Sequence, residues 1–346
     1  MAPETPDEEP LTYAKAGVDI DQEAGTVHAL VKALGHGREG GIQPLDLPGH
    51  FAGGVQLGDK ALILCTDGVG SKVEIARAMG RYDTVGIDCM AMNVNDAICV
   101  GAEPVAFVDY LAVDHHDEAF AQAMGKGLAE AAKQANVAIV GGETATLPGI
   151  VEGFDIAGTC LAVADRDQLI TGQGIQEGDV ILGLPSSGIH SNGLTLARKA
   201  LERAGLGYGD TVDELAPTTL GEALLTPTKI YVRPVLDLLA SVEVQGLVHV
   251  TGGGVENYPR VNTGYRYVLD DLPDPPAIFQ ALQRLGKVET REMYRTFNMG
   301  IGFALIVRPD QVEAALDAGA PHGLARIGRI EAGTGVHLPQ HDLSFD

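Results

Sequence analysis

Basic residues are what this 346-residue chain most lacks: 24 Lys and Arg stand against 47 Asp and Glu, a formal charge of −23. No basic cluster relieves the imbalance, which argues against nucleic acid and anionic membranes as partners. The same field repels polyanionic small molecules at long range, so a phosphate site here needs local screening by a divalent cation, by backbone N–H groups, or by both. No apolar run approaches the roughly 18 residues of a membrane span. Cysteine is scarce too. Cys65, Cys89, Cys99 and Cys160 form no CxxC pair and lie in or beside apolar runs, which speaks against a disulfide framework or a zinc site and for buried thiols. The opening MAPETPDEEP has neither the basic nor the apolar stretch of a secretory or transit peptide. Residues 1–12 are therefore expected to be a disordered acidic tail on a cytoplasmic protein. Repeats of solenoid length are absent as well.

What is present suits two domains, since the chain exceeds one typical domain and 45% of it is apolar. Its 45 glycines are spread through short turns rather than gathered in a linker. Residues 13–35 look helical. Strand-like runs follow at ALILCT, VAFVDYLAV, VAIV and FDIAGTCLAVAD, separated by helical stretches such as HDEAFAQAMGKGLAEAAKQA. The turn-rich LITGQGIQEGD marks a boundary, giving domains over 13–168 and 169–346. The second opens with a strand (VILGLP), then helices over SNGLTLARKALERA and TKIYVRPVLDLLASV, then the apolar LVHV. The fold class is α/β with α+β character.

CTDGVGSK, residues 65–72, joins the apolar ALIL to the helical VEIARAMG. Glycines at a strand-to-helix turn leave backbone N–H groups free for phosphate oxygens, with Lys72 nearby as a point charge. Asp67 would repel a bare phosphate, which calls for a cation beside it. In IDCMAMNVNDAICVGAEP, helical spacing puts Asp88, Met92, Asn95 and Asp96 on one side, opposite an apolar stripe of Met90, Ala91, Val94, Ala97 and Ile98. That polar side reads either as a solvated face or as oxygen donors for a hard cation such as Mg²⁺. VAIVGGETATLPG repeats the layout of strand, glycines and acid with Gly141, Gly142 and Glu143. Open α/β sheets bind ligands beyond the carboxyl ends of their strands, so these two acids and a third from the helix make a divalent-metal cluster; the alternative is that they cap turns or helices. In the second half, His190 of SSGIHSNG reads as a general acid or base, a donor to phosphate, or a solvated turn residue. The three glycines at 252–254 let the backbone approach a ligand closely. Arg295 is either an anion partner or an exposed charge. Two glycine strings are set aside. GHGREG at 35–40 fits GxGxxG but does not join a strand to a helix, and GLPSSGIH has His190 where a P-loop would end in Gly-Lys-Ser/Thr.

Taken in order, YAKAGVDID, TDGVGSK, GIDCMAMNVND, GAEP, VGGETA, SSGIHSNGLTLARK, TPTKIYV, TGGG and MYRTFNMG closely resemble the strings of the phosphoribosylformylglycinamidine cyclo-ligase family, the aminoimidazole ribonucleotide (AIR) synthetases of purine biosynthesis. The resemblance runs from Tyr13 to Gly328. It implies an AIR synthase-like fold: an N-terminal α/β domain whose strands pair with those of a second copy in a homodimer, and a C-terminal α/β domain, with the nucleotide in a cleft near the dimer interface. It also implies an ATP-dependent ring closure, in which ATP phosphorylates the formyl amide oxygen of formylglycinamidine ribonucleotide to give an iminophosphate. The amidine nitrogen then attacks, and phosphate leaves. An amide oxygen departs poorly until phosphorylated, so no protein nucleophile is required and positioning with charge neutralisation can carry catalysis. By the same resemblance Asp67, Asp96 and Glu143, with Asp88 as a fourth, hold Mg²⁺ on the ATP phosphates, as acids in matching motifs do in the related thiamine-monophosphate kinases. Gly68, Gly70, Lys72, Gly141, Gly142, Gly252 and Gly253 meet phosphate, Ser191, Asn192 and Arg295 meet substrate, and His190 and Lys72 are the catalytic candidates.

Three positions depart from the family's strings: Thr146 stands where Glu is usual, only Val255 separates the triple glycine from Glu256 and Asn257, and His50 replaces a glycine of the N-terminal glycine-rich segment. Sister activities fit less well. No Cys precedes Cys65, as a selenophosphate synthetase would require, and the chain ends DLSFD rather than in the Cys of the hydrogenase-maturation dehydratases. Thiamine-monophosphate kinases lack the MYRTFN and SGxHSNG strings. A non-catalytic nucleotide-binding regulator on the same fold is the alternative from a different class.

Overall fold

The computed structural model describes residues 9–34, 38–47 and 49–346, and two sheets share the chain between them. Residues 1–8 of the expected tail and residues 35–37 of GHGREG lie outside the described residues. The helix expected over 13–35 is two helices, α1 (Tyr13–Ala16) and α2 (Ile20–Ala33). Gly17 ends the first in the left-handed region at φ 110°, and Asp19 caps the second by accepting from the N–H groups of Asp21 and Gln22.

The first sheet holds β1 (Gly53–Leu57), β2 (Lys60–Gly68), β3 (Glu103–Val113), β4 (Ala138–Thr146) and β5 (Phe154–Asp165), in the order β1-β2-β5-β3-β4. The helices of this half are α3 (Lys72–Met79), α4 (Val85–Ala97) and α5 (Glu118–Ala135). Every pairing is antiparallel except β3 with β4, which are parallel because α5 forms the crossover between them. Alternation decides the faces. Ala61, Ile63 and Cys65 of β2 and Phe107 and Leu111 of β3 are buried toward α4, while Leu64, Val108 and Tyr110 between them are 48%, 37% and 46% exposed on the other side. The strand expected to stop before Gly141 does not stop there. The β3–β4 ladder runs from Ala106 opposite Ala138 to Val113 opposite Thr146, so Gly141, Gly142 and Glu143 sit inside an edge strand.

The second sheet comprises β6 (Val180–Pro185), β7 (Val244–His249), β8 (Tyr265–Val268), β9 (Ile301–Val307), β10 (Ala325–Ala332), β11 (Val336–Leu338) and β12 (Leu343–Phe345), in the order β12-β11-β8-β10-β6-β9-β7. Its helices are α6 (Leu194–Arg203), α7 (Leu220–Leu224), α8 (Val232–Leu239), α9 (Ala277–Gly286), α10 (Thr290–Thr296) and α11 (Val312–Gly319). All residues of β7 and β9 are buried, as continuous apolar runs covered on both faces should be. The helix expected from Thr228 starts only at Val232. The backbone N–H groups of Thr228 and Tyr231 are engaged instead by Asp88 and Asn95 of α4. All four cysteines are free and buried.

Candidate active site

The polar side of α4 is not solvated. Asp88 and Asn95 are fully buried, and the chain segment leading into α8 lies against them. Asn95 donates to the carbonyl of Lys229 at 2.9 Å and accepts from Tyr231 N–H at 2.9 Å. Asp88 Oδ1 accepts from Thr228 N–H at 2.7 Å, from the Thr228 hydroxyl at 2.6 Å and from Lys72 Nζ at 2.9 Å. Lys72 is itself completely buried, and its ammonium also donates to the carbonyls of His190 and Thr226. Burial pulls its pKa down and the Asp88 carboxylate pulls it back up. Every proton of that ammonium is thus committed, and the pair bolts the first half of the chain to the second. This geometry opposes the metal role expected for Asp88 and the phosphate contact expected for Lys72.

A cavity of about 410 Å³ lies between the two halves. The end of β2 supplies Asp67 and Gly68 and the turn after it Gly70 and Ser71, the turn before α6 supplies Ser191, Asn192 and Gly193, and the turn after β7 supplies Thr251, Gly252 and Gly253. Three glycine-bearing segments far apart in sequence therefore present backbone to one space. The turn before α6 requires glycine at 193, where φ is 73° and a Cβ would overlap the Phe297 ring. The turn after β7 is held by Asn257, whose side chain accepts from Thr251 N–H at 2.7 Å and donates to the Gly252 carbonyl at 3.1 Å. Across the cleft the Ser71 and Thr195 hydroxyls meet at 2.8 Å.

Two acids line this cavity, Glu23 of α2 and Asp67, and Asp67 is the one beside the glycine-bearing turns. Its Oδ1 accepts from the N–H of Gly68 at 2.7 Å. Burial, and then the charge of Asp96, push its pKa up to about 6. Asp96 stands in the last turn of α4 with its side chain 17% exposed, and its Oδ1 meets His249 Nδ1 at 2.8 Å. The Asp96 carboxylate behind the cavity wall thus works against ionisation of Asp67, a repulsion that a divalent cation would relieve. His249, the partner of Asp96, was not singled out from the sequence. It ends an apolar run, as a core histidine would, and its partner is 153 positions away.

The other expected site residues fall elsewhere. Asp67 pairs with Gly158, Gly158 with Asp109, and Asp109 with Gly142, so three strand spacings, about 14 Å, separate Asp67 from β4. Glu143, one position further on and opposite Tyr110, points to the open face of the sheet. Within one chain, then, Gly141, Gly142 and Glu143 do not join Asp67. Among the described residues no three His, Cys, Asp or Glu side chains converge as a metal site. Arg295 of α10 is held by Asp21 at 2.6 Å and Glu256 at 3.1 Å, tying α10 to α2 and to the turn after β7 rather than lining the cavity. His190 is 1% exposed, adopts φ 62°, and accepts from Ser187 N–H through Nε2 at 3.2 Å. Burial, reinforced by the charges of His249, Lys72 and Lys229, holds its pKa well below the usual imidazole value. It is a neutral core residue behind the turn that Ser191 and Asn192 present, which opposes a role as the base. Thr146 hydrogen-bonds the His116 ring at 2.9 Å.

Comparison with known proteins agrees with this architecture. The N-terminal domain of AIR synthase related proteins matches residues 49–164, and the C-terminal domain matches residues 176–339. The phosphoribosylformylglycinamidine cyclo-ligase of Methanocaldococcus jannaschii is 50% identical over 325 residues, 92% of this chain and 92% of its own length. That of Methanococcus vannielii is 48% identical over 330 residues, covering 93% and 92%. The chain belongs to the phosphoribosylformylglycinamidine cyclo-ligase family. AaThiL, solved in complex with AMPPCP and TMP, superposes with a TM-score of 0.64 over 94% of this chain and 96% of its own, at 16% identity. At that identity the likeness speaks for the fold alone, so the cyclo-ligase family shares its two-unit architecture with a protein solved with other ligands.

Proposed function

We propose that this protein closes the imidazole ring of aminoimidazole ribonucleotide from formylglycinamidine ribonucleotide, consuming ATP and releasing ADP and phosphate. The observation that carries the reading is the inter-domain cavity, where the turn bearing Asp67 faces two glycine-rich turns of the second domain. Nucleotide phosphates lie along the N–H groups of Gly70, Gly252 and Gly253, whereas that of Gly68 is taken by Asp67, and the Ser191 and Asn192 side chains hold the substrate. Asp67 and Asp96 hold Mg²⁺, which neutralises phosphate charge in a chain of formal charge −23. Two protein carboxylates suit Mg²⁺, which keeps waters and phosphate oxygens as its remaining ligands. Phosphorylation makes the formyl oxygen a leaving group, and the turns contribute by aligning that oxygen with ATP and the amidine nitrogen with the resulting carbon. Lys72 and Asp88 serve the site indirectly, by fixing the two domains, divided near Leu169, at the distance that shapes the cavity.

A homodimer completes the reading. β4 is an unpaired edge strand, Val140 on it is 66% exposed, and Leu64, Val108 and Tyr110 form an uncovered apolar sheet face, the kind of surface that a second copy covers. Glu143 points to that face, so its contribution to a nucleotide site is made across the interface. Among the described residues no helix is long and apolar enough to cross a membrane, and a cytoplasmic enzyme fits the pathway. The test is ADP release with Mg·ATP, with and without formylglycinamidine ribonucleotide, together with assay of the aminoimidazole product. Substrate-dependent, equimolar ADP and aminoimidazole are expected. ATP binding without the coupled product would favour a regulator or a sister kinase.

A further inference from the structure

We infer that His249 is a positioning residue for the nucleotide site: its Nδ1–H fixes the carboxylate of Asp96, so the second sheet sets the geometry of a metal ligand borne by the first. The inference rests on the assignment of Asp67 and Asp96 to Mg²⁺. His249 is the last residue of β7, completely buried, with its ring beside that of Phe303. It leads directly into the turn that lines the cavity with Thr251, Gly252 and Gly253. Among the described residues its one side-chain hydrogen bond is the 2.8 Å contact with Asp96 Oδ1, and Nε2 is buried without a partner.

A carboxylate only accepts, so Nδ1 carries the proton and Nε2 is left as a bare lone pair in an apolar core. Stranding a polar atom there costs about 1–3 kcal/mol relative to satisfying it. A position needed only for packing would be better filled by Leu or Val, as Leu247 and Val248 fill the two before it. The stranded nitrogen is therefore explained by what the other nitrogen does. Fastening Oδ1 leaves the second Asp96 oxygen without a hydrogen bond among the described residues, on a side chain still 17% exposed and near enough to Asp67 to raise its pKa. Asp96 sits at the C-terminal turn of α4, where the backbone carbonyls repel a carboxylate rather than anchor it, so the imidazole supplies the restraint that the helix does not. Ligating carboxylates held in this way bind metal more tightly than free ones.

The experiment is a titration of the full-length protein with Mn²⁺ in the presence of a non-hydrolysable ATP analogue, read by electron paramagnetic resonance, with melting temperature recorded in parallel. An Asn amide nitrogen can occupy the place of Nδ1, whereas a Gln amide lies nearer Nε2. His249→Leu and His249→Gln are expected to weaken Mn²⁺ binding by about 10- to 100-fold and His249→Asn by less than about threefold. In an Asp96→Asn background, His249→Leu should weaken it no further. Wild-type Mn²⁺ affinity in His249→Leu would overturn the inference, whatever its melting temperature. Should that variant fail to fold, the Asn and Gln variants decide the matter, and equal affinities would overturn it. A wild-type protein that binds no Mn²⁺ beyond what Asp67→Asn binds would remove the metal assignment itself, and the positioning role with it.

Discussion

Helix α4 carries two aspartates eight positions apart, and the chain treats them in opposite ways. Asp88 Oδ1 gathers three donors, one of them the buried ammonium of Lys72, and none of its surface meets solvent. Asp96 has one donor, His249, and a neighbouring carboxylate, Asp67, whose pKa it raises. The first matches its charge with an ammonium, although Asp88 Oδ2 is buried without a partner, and the second sets two carboxylates near one another. Both acids satisfy the same helical spacing, so their roles are decided by what the second half of the chain brings to each. To Asp88 it brings the Thr228 backbone and hydroxyl; to Asp96 it brings an imidazole and leaves the side chain 17% exposed.

The largest effect is expected at the charge-matched pair. Lys72→Met leaves Asp88 charged and buried with only Thr228 as a partner, and should destabilise the fold by about 3–5 kcal/mol in urea unfolding. Adding Asp88→Leu should return part of that loss, because the uncompensated charge goes with it. A Lys72→Met protein of wild-type stability would mean that the pair is not what joins the domains. At the two carboxylates the order reverses. Asp67→Asn should lower Mg²⁺-dependent turnover by at least about 100-fold, as loss of a charge-neutralising group at a phosphoryl-transfer site does. Its melting temperature should hold or rise, since the native carboxylate is ionised against the trend of its surroundings. Near-wild-type ADP release would end the metal assignment at Asp67.

This contrast also shows what could be read from the sequence. The order of strands and helices was legible, because apolar runs and helical spacing are local properties, and so was Asp67, because its glycine-rich turn is contiguous. The fate of the polar side of α4 was not. A row of Asp and Asn has the same pattern whether water or another domain covers it, and the covering segment begins 130 positions later at Thr226. His190 looked catalytic because it sits among turn residues, yet its backbone adopts φ 62° and folds the ring inward. The apolar run VAIV reads as a strand ending at Gly141 and Gly142, whereas the parallel ladder of β4 with β3 carries through both of them.

β2 and β4 offer the second comparison, since both run from an apolar stretch to an acid beside glycine. Asp67 faces the helices and the cavity, while Glu143 faces the open side of the sheet. If Glu143 acts across a homodimer interface, Glu143→Gln and Asp67→Asn inactivate complementary halves of each shared site. Random exchange of subunits between the two variants then leaves half of the dimers mixed, each with one intact site. The mixture should regain about a quarter of wild-type turnover, a consequence of two-fold symmetry. No recovery after verified exchange would place both acids in the site of one chain, against the geometry described above.

The smallest effect extends the comparison to a group with no partner at all. Both ring nitrogens of His50 are buried without hydrogen bonds, and burial, aided by the charge of Arg260, lowers its pKa from 6.5 to about 4. Between those values the unfolded chain binds a proton that the folded chain refuses, so stability falls as pH drops below 6.5 and levels off near 4. His190, also lowered, acts in the same direction. Asp67, raised to about 6, acts in the opposite one, because its folded form takes up a proton first. The sum therefore says little about any one group, and the difference between wild type and His50→Gly isolates one. That variant removes the imidazole, its added backbone freedom is independent of pH, and it should show a shallower loss of urea-unfolding stability from pH 6.5 to 4, by at most one proton's worth of slope. Parallel curves for the two proteins would mean that the His50 ring is already protonated in the fold, and that the carboxylate of Asp46, which lines the same cavity as His50 and Arg260, provides the missing partner.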